Sequence, residues 1–168
     1  MNKIMLATLG ASALLAFTAI SPRELKLVWN ASASVPVGLY AISPAGKLAV
    51  ADLVLVMPPE PLASLLAGRG YLLRGVPLLK RVAALPGQTV CRKGHNITVD
   101  GVTWGMARER DHRGRELPVW RGCRRIREGE IFLLNRDTPG SLDGRYFGPL
   151  PVTSIAGHAW PVWTDEGT

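Results

Sequence analysis

The sequence predicts a mainly β fold of short antiparallel strands, preceded by one N-terminal transmembrane helix. Eighteen glycines and thirteen prolines are spread along the chain, which is typical of many short strands joined by tight turns. Short runs rich in Val and Leu recur between these turn residues, whereas the one long apolar run lies at the N-terminus. A chain of 168 residues is long enough for one domain with its own core plus an anchor.

The N-terminal segment from Ile4 to Ile20 carries no charged residue. As a helix it would span about 25 Å, close to the thickness of the hydrocarbon core of a bilayer. Pro22 should end this helix. Residues 1–22 are therefore predicted to be a membrane anchor or a cleaved signal segment. We favour a retained anchor, because the small residues 11–13 that resemble a cleavage site lie inside the apolar run rather than after it.

The charges around this segment predict its orientation. Lys3 and the terminal amine favour a cytoplasmic N-terminus, although Arg23 and Lys26 on the other side weaken that preference. Residues 23–168 then form an extracytoplasmic domain. The predicted location is the inner (cytoplasmic) membrane, with lipid as a partner and the domain in the periplasm.

The rest of the chain is organised as short strands and turns. The segments with strand composition are residues 48–57, 78–84, 89–92, 96–99, 130–134 and 156–163. Asp100-Gly101 predicts a hairpin turn. Residues 61–68 predict a short helix closed by glycine, and the polar residues 107–116 predict an exposed loop.

The formal net charge is +7, and an Arg-rich stretch runs from Arg108 to Arg127. A basic excess fits a nucleic-acid partner, an anionic membrane surface or a solvated face. Acidic residues interleave with the arginines, and aromatic residues at the spacing of a nucleic-acid-binding module are absent from the sequence. A solvated face is therefore favoured, and a basic β domain that binds DNA is kept only as an alternative.

Several common site types do not fit this sequence. His95, His112 and His158 lie in no metal or protease signature and are interpreted as structural. Neither cysteine has a second Cys or a His at metal-ligand spacing, so a metal is not expected. Glycine-rich phosphate loops are absent from the sequence, and another cofactor is not expected either. Cys91 and Cys123 would pair in an oxidising compartment, or would be unpaired core thiols in a cytosolic protein.

A serine and a lysine remain as candidates for chemistry. Pro36 and Gly38 follow Ser34 closely and predict an irregular backbone that presents its hydroxyl. Lys80 shares a strand face with Leu78 and Val82, and burial there would lower its pKa toward that of a general base. Each residue alone also fits a common structural role, as a loop serine or as an edge-strand lysine.

Four segments together resemble a known family. Residues 80–90 (KRVAALPGQTV) are similar to the lysine box of bacterial signal peptidase I, and residues 51–54 (ADLV) resemble its Gly-Asp-x-Val segment. Residues 135–148 resemble its C-terminal box, with extra residues between the two halves. Residues 34–40 (SVPVGLY) depart from the common Ser-Met-x-Pro form and resemble the TraF-type conjugal-transfer peptidases of the same superfamily.

The resemblance implies a signal-peptidase-like β domain with a Ser-Lys dyad. Ser34 matches the nucleophile and Lys80 matches its base. Ser32 falls where the family places a hydroxyl that helps to bind the oxyanion, although residues 30–32 (NAS) depart from the family's usual motif there.

The resemblance also implies supporting residues. Ser141 matches a serine that orients the lysine, and Asp143 and Arg145 match a structural ion pair near the site. A disulfide between Cys91 and Cys123 is also implied, because periplasmic members commonly carry one in the matching region.

The expected function is that of a membrane-bound serine endopeptidase or transpeptidase that cleaves, or cleaves and cyclises, a conjugative pilin precursor. Besides the DNA-binding domain mentioned above, two alternatives remain: a general signal peptidase I acting on signal-peptide-bearing proteins, and a non-catalytic membrane-anchored subunit of a conjugation apparatus. Nucleic acid is not an expected partner in any of these three.

Overall fold

The computed structural model describes residues 27–165, which form two antiparallel β sheets and two short helices. In chain order the elements are β1 (Leu27–Asn30), β2 (Val37–Ser43), β3 (Leu53–Val56), α1 (Leu62–Gly68), β4 (Leu78–Ala84), β5 (Thr89–Lys93), β6 (Asn96–Val99), β7 (Val102–Met106), β8 (Gly122–Arg125), β9 (Glu130–Leu133), α2 (Gly144–Phe147), β10 (Leu150–Pro151) and β11 (Ile155–Asp165). A 3₁₀ turn, Val152–Ser154, connects the last two strands.

The larger sheet has seven strands in the order β1-β2-β11-β3-β4-β9-β10, and the smaller has four in the order β7-β6-β5-β8. Every strand pairing is antiparallel. The mainly β prediction is therefore confirmed for the described part of the chain. The β4 strand is an internal strand of the sheet, since it pairs with β3 on one side and β9 on the other.

The strand predicted at residues 48–57 is shorter than expected and begins only at Leu53. The residues before it form a turn, in which the Asp52 carboxylate accepts the Ala49 N–H at 2.7 Å. Ala51 lies in the left-handed region, with a φ of 77°. Valine and leucine composition alone does not reveal this turn, because it depends on a side-chain-to-backbone hydrogen bond.

The predicted hairpin at Asp100-Gly101 is present between β6 and β7. Both turn residues have positive φ, 48° and 81°, and Val99 pairs with Val102. Positive φ at both central positions defines the type I′ turn, whose twist matches that of the strands it joins.

Two strands that the sequence analysis did not predict, β1 and β2, flank Ser34. Their last paired residues are Asn30 and Gly38, so the chain between them is a loop closed at its base. A Cβ on Gly38 would lie 2.1 Å from the carbonyl oxygen of Trp163 in β11. Glycine at this position therefore permits the close approach of β2 and β11 that holds the serine loop to the sheet.

A shared core joins the two sheets. Phe132 of β9 and Ile97 of β6 are fully buried in one cluster of apolar side chains. Cys91 of β5 and Cys123 of β8 are directly opposite each other and form a disulfide that cross-links the smaller sheet.

The polar loop at residues 107–116 is held against the segment that follows α1. The Tyr71 hydroxyl donates to the Asp111 carboxylate, and the Arg115 guanidinium lies 4.7 Å from the centre of the Tyr71 ring. This loop is thus exposed over much of its length but fixed by hydrogen bonds to neighbouring segments.

The predicted anchor at residues 1–22 lies outside the described residues. Between residues 27 and 165, neither helix has the length and apolar character needed to cross a bilayer.

Candidate active site

The loop that carries Ser34 is organised around the side-chain amide of Asn30. The amide nitrogen donates to the carbonyl oxygens of Ser32, Val35 and Pro36 at 2.8, 3.1 and 3.0 Å. The amide oxygen faces the other way and accepts from the backbone N–H and the hydroxyl of Ser32, at 3.2 and 2.9 Å. Because the two hydrogens and the oxygen of one amide are shared among five loop groups, the backbone around the serine is fixed locally.

The hydroxyl groups of Ser32 and Ser34 are in hydrogen-bond contact, with 2.9 Å between their oxygens. A hydroxyl has a single hydrogen to donate, and that of Ser32 goes to the Asn30 amide oxygen. Ser34 is therefore the donor to Ser32. A hydrogen-bond chain runs from Ser34 through Ser32 to Asn30, and the Ser32 hydrogen must leave Asn30 before it can reach an oxyanion.

Lys80 lies within the internal strand β4, where only 4% of the residue is exposed. Its ammonium nitrogen donates to the Ser141 hydroxyl at 3.0 Å. Burial lowers the pKa of Lys80 to about 8, with the Asp143 carboxylate acting to raise it and Arg145 acting to lower it. An amine with this pKa is deprotonated in a sizeable fraction of molecules near neutral pH, as a general base requires.

A buried ion pair supports the loop that carries Ser141. The Arg145 guanidinium lies 3.0 Å from the Asp143 carboxylate, and both side chains are almost fully buried. The same guanidinium donates to the carbonyl oxygens of Thr138 and Ser141, at 3.1 and 3.3 Å. Because a buried charge without partners is costly, these contacts fix the loop behind Lys80.

The smaller sheet contacts this ion pair at Gly105 of β7. A Cβ on Gly105 would lie 3.2 Å from two nitrogens of the buried Arg145 guanidinium, so the guanidinium would have to shift by a few tenths of an ångström. The Arg145 Nε atom is buried without a hydrogen-bond partner within the described structure. Position 105 therefore leaves just enough room for the guanidinium.

One groove brings the candidate residues together. Ser32, Ser34, Lys80 and Ser141 all line it, while the Asp143–Arg145 pair lies behind it. The remaining lining is largely apolar and includes Val28, Trp29, Leu66, Leu72, Val76, Leu78 and Leu142. The groove therefore combines hydroxyl groups and a buried amine with walls suited to an apolar chain.

Some residues of this region were not singled out from the sequence. His112, interpreted there as structural, lines the groove together with Tyr71. Asn30 and Asn135 hold the serine loop by side-chain amide bonds. Asparagine is common in loops, so only their positions beside the serine and at the start of the C-terminal box set them apart in the sequence.

Comparison with known proteins agrees with this geometry. The model of the family described as signal peptidase, peptidase S26, matches residues 1–163. A probable conjugal transfer protein TraF of Sinorhizobium fredii (strain NBRC 101917 / NGR234) is 37% identical over 145 residues, covering 80% of this chain and 76% of that protein. A conjugal transfer protein TraF of Agrobacterium fabrum (strain C58 / ATCC 33970) is 35% identical over 145 residues, covering 80% of this chain and 81% of that protein.

A solved structure also shows similarity. The crystal structure of a signal peptidase I from Enterococcus faecalis V583 aligns with a TM-score of 0.40 and 20% identity, over 68% of this chain and 97% of that one.

Proposed function

Because the chain belongs to the signal peptidase family, peptidase S26, and to its TraF-type members, we propose that it is a serine endopeptidase with Ser34 as nucleophile and Lys80 as base. The observation that carries the proposal is the groove itself. It is lined both by a serine hydroxyl held on a fixed loop and by a buried lysine whose pKa is lowered to about 8.

The proposed reaction is acyl transfer. When a peptide enters the groove, the Ser34 hydroxyl turns from Ser32 toward the neutral amine of Lys80, which takes the proton as the serine oxygen attacks the scissile carbonyl carbon. The peptide C–N bond then breaks, and the Lys80 ammonium returns the proton to the leaving amine. Water or a second amine attacks the acyl-enzyme, giving a cleaved product or a new peptide bond and restoring Ser34.

The tetrahedral intermediate carries a negative oxygen that needs donors. The backbone N–H of Ser34 is one candidate, and the Ser32 hydroxyl becomes a second when its hydrogen leaves Asn30. A donor of this kind is worth about 3–4 kcal/mol in the transition state.

The proposed location is the inner membrane, with residues 1–22 as an anchor or signal segment and residues 23–168 as the periplasmic domain. An exposed aromatic surface where the described chain begins supports a nearby lipid interface. Trp29 and Trp163 stack with 5.8 Å between ring centres, and both are more than half exposed, as is Trp160. Tryptophan favours the interfacial region of a bilayer, and the disulfide favours an oxidising compartment.

The proposed substrate is a conjugative pilin precursor in the same membrane. The relatives named as conjugal transfer proteins TraF support this choice, and the apolar groove suits a hydrophobic precursor. Confining enzyme and substrate to one membrane raises their effective concentration. The product is a cleaved pilin, or a cleaved and cyclised one, and nucleic acid is not a proposed partner.

The family description itself favours a second candidate, which is general signal peptidase activity on secreted proteins. A non-catalytic role in the conjugation apparatus is the alternative from another class. The two peptidase functions differ in their substrate. The non-catalytic role differs from both, because substitution of Ser34 or Lys80 would not affect it.

The test is mass spectrometry of the pilin and of a signal-peptide-bearing protein from cells that carry the wild-type chain, Ser34→Ala or Lys80→Ala. Ser64→Ala and Lys93→Ala serve as matched controls, because both residues lie outside the groove. We expect pilin precursor to accumulate only in the two groove variants, and a ring would lack one water relative to the linear mature peptide. Normal processing in Ser34→Ala cells would refute the peptidase, and accumulation of the secreted precursor alone would identify the second candidate.

A further inference from the structure

A single side-chain amide connects the serine loop to the lysine strand. Asn135 lies just beyond the end of β9, is 3% exposed, and its amide nitrogen donates to the carbonyl oxygen of Ser34 at 2.7 Å. The same nitrogen is 3.3 Å from the carbonyl oxygen of Leu79, and the amide oxygen accepts the Arg81 N–H at 2.8 Å. Leu79 and Arg81 are the residues on either side of Lys80.

This amide replaces a strand neighbour of β4. The pairing between β4 and β9 includes Val82 opposite Leu133, and Leu134 adds a hydrogen bond from its N–H to the Arg81 carbonyl at 2.9 Å. Beyond that point, the Asn135 side-chain amide forms the hydrogen bonds to the β4 backbone that a paired strand would otherwise form. On the β9 side, the segment that presents Lys80 is therefore held by a side chain, whereas β3 pairs with it on its other side.

The backbone of Asn135 is fixed in turn by the buried ion pair. Its N–H donates to the Asp143 carboxylate at 3.1 Å, and its carbonyl oxygen accepts from the Arg145 guanidinium at 2.8 Å. With its backbone held, and with both ends of its amide bonded to other chain segments, the side chain has one favourable orientation.

We propose that Asn135 is a positioning residue that sets the placement of Ser34 relative to Lys80 by hydrogen-bonding the backbone of both segments. The proposal rests on the proposed peptidase function. A misplacement of about 1 Å between reacting groups can lower a rate about 100-fold. Loss of the amide should therefore lower kcat while leaving the groove walls, and hence KM, largely unchanged.

Thr138 provides a matched control. Its hydroxyl donates to the same Ser34 carbonyl oxygen at 3.2 Å, whereas the hydrogen bonds of Asn135 also reach β4. Thr138→Ala thus weakens the hold on the serine loop alone, whereas Asn135→Ala also releases the loop from the lysine strand.

The experiment uses the full chain purified in detergent, with the pilin precursor of the same transfer system as the probe substrate. Steady-state kcat and KM are measured for the wild type, Asn135→Ala, Asn135→Asp, Thr138→Ala and Ser34→Ala. Asn135→Asp keeps the side-chain volume and the acceptor for Arg81 but removes the donor. A carboxylate there would raise the pKa of Lys80, so kcat is taken from the plateau of its pH profile, where the lysine is neutral.

We expect a plateau kcat about 100-fold below wild type in both Asn135 variants, KM within threefold, and a loss of less than tenfold in Thr138→Ala. The proposal is overturned by near-wild-type kcat in a folded Asn135 variant, by an equal loss in Thr138→Ala, or by an effect on KM alone. It also falls if neither Asn135 variant shows a cooperative thermal transition. Turnover by Ser34→Ala would instead remove the proposed function itself.

Discussion

The amine of Lys80 lies 3.0 Å from the hydroxyl oxygen of Ser141, and both residues are buried. The two are 61 positions apart in the sequence, and they meet because β4, which carries Lys80, pairs with β9, whose following loop carries Ser141. This contact gives the amine a polar partner in a position that water barely reaches.

Ser141→Ala should lower kcat/KM about 10- to 100-fold, because the Lys80 amine loses the partner that orients it toward the groove. Cleavage of the pilin precursor by the purified protein measures the effect. Ser154→Ala is the matched control, since Ser154 is also buried but donates to the Pro151 carbonyl at 2.6 Å and does not line the groove. Equal activities of the two variants would exclude an orienting role for Ser141.

The rate should depend on pH through Lys80. In the proposed mechanism the neutral amine is the active form, and burial lowers its pKa to about 8. kcat/KM should therefore rise with pH through about 8 and then level off, which a pH profile between 6 and 10 would reveal. A profile that is flat over this range would contradict a lysine base.

Lys80→Met should abolish activity and yet stabilise the fold at pH 7, by about 1–3 kcal/mol, because burying an ammonium group costs more than burying a thioether. The pKa of Lys80 is about 8 in the folded protein, against 10.5 for an ordinary lysine. Between these values the unfolded chain binds more protons, so wild-type stability rises with pH.

The gain from Lys80→Met should consequently shrink as the pH approaches 10.5. Urea unfolding of both proteins at pH 7 and pH 10 checks this. A variant that is less stable than wild type at pH 7 would show that the lysine contributes favourable interactions that outweigh its desolvation.

Ser32→Ala should lower kcat about 100-fold if the Ser32 hydroxyl binds the oxyanion, and Ser32→Thr should recover most of the rate because it keeps the hydroxyl. The thermal stability of Ser32→Ala should change little, since Ser32 is exposed and the Asn30 amide still bonds Val35 and Pro36. Full activity of Ser32→Ala would leave the backbone N–H of Ser34 as the remaining candidate donor.

Replacing Cys91 and Cys123 by serine should lower the free energy of unfolding by about 3–4 kcal/mol, because the disulfide closes a loop with a sequence separation of 32 residues. The activity below the melting temperature should be retained, as the disulfide lies in the smaller sheet away from the groove. Chemical denaturation with and without reductant measures the first effect, and pilin cleavage measures the second. A loss of activity without a loss of stability would point to a different role.

The sequence predicts best the elements whose signal is local. The bounds of β4 and β6 and the Asp100-Gly101 turn follow from alternation and turn chemistry. The strands around Ser34 do not follow from the sequence in the same way, because β2 contains Gly38, whose role depends on the distant strand β11.

The candidate site shows the same limit. Ser34 and Lys80 stand out through their segments, and the structure lines one groove with both of them. The side-chain hydrogen bonds of Asn135, however, reach residues up to 101 positions away, and no local pattern encodes such partners. The direction of the Ser34 hydrogen bond likewise follows only from the orientation of the Asn30 amide.

At Gly105 the smaller sheet packs directly against the Arg145 guanidinium, which supports the candidate active site. Since any larger residue there would push the Arg145 guanidinium away, a change on β7 would be transmitted through the ion pair to the loop bearing Ser141 and from there to Lys80. The smaller sheet is thus structurally coupled to the residues that line the groove. A sequence change in one sheet must therefore be compatible with the other sheet, and at position 105 there is too little room for one added methyl group unless Arg145 shifts.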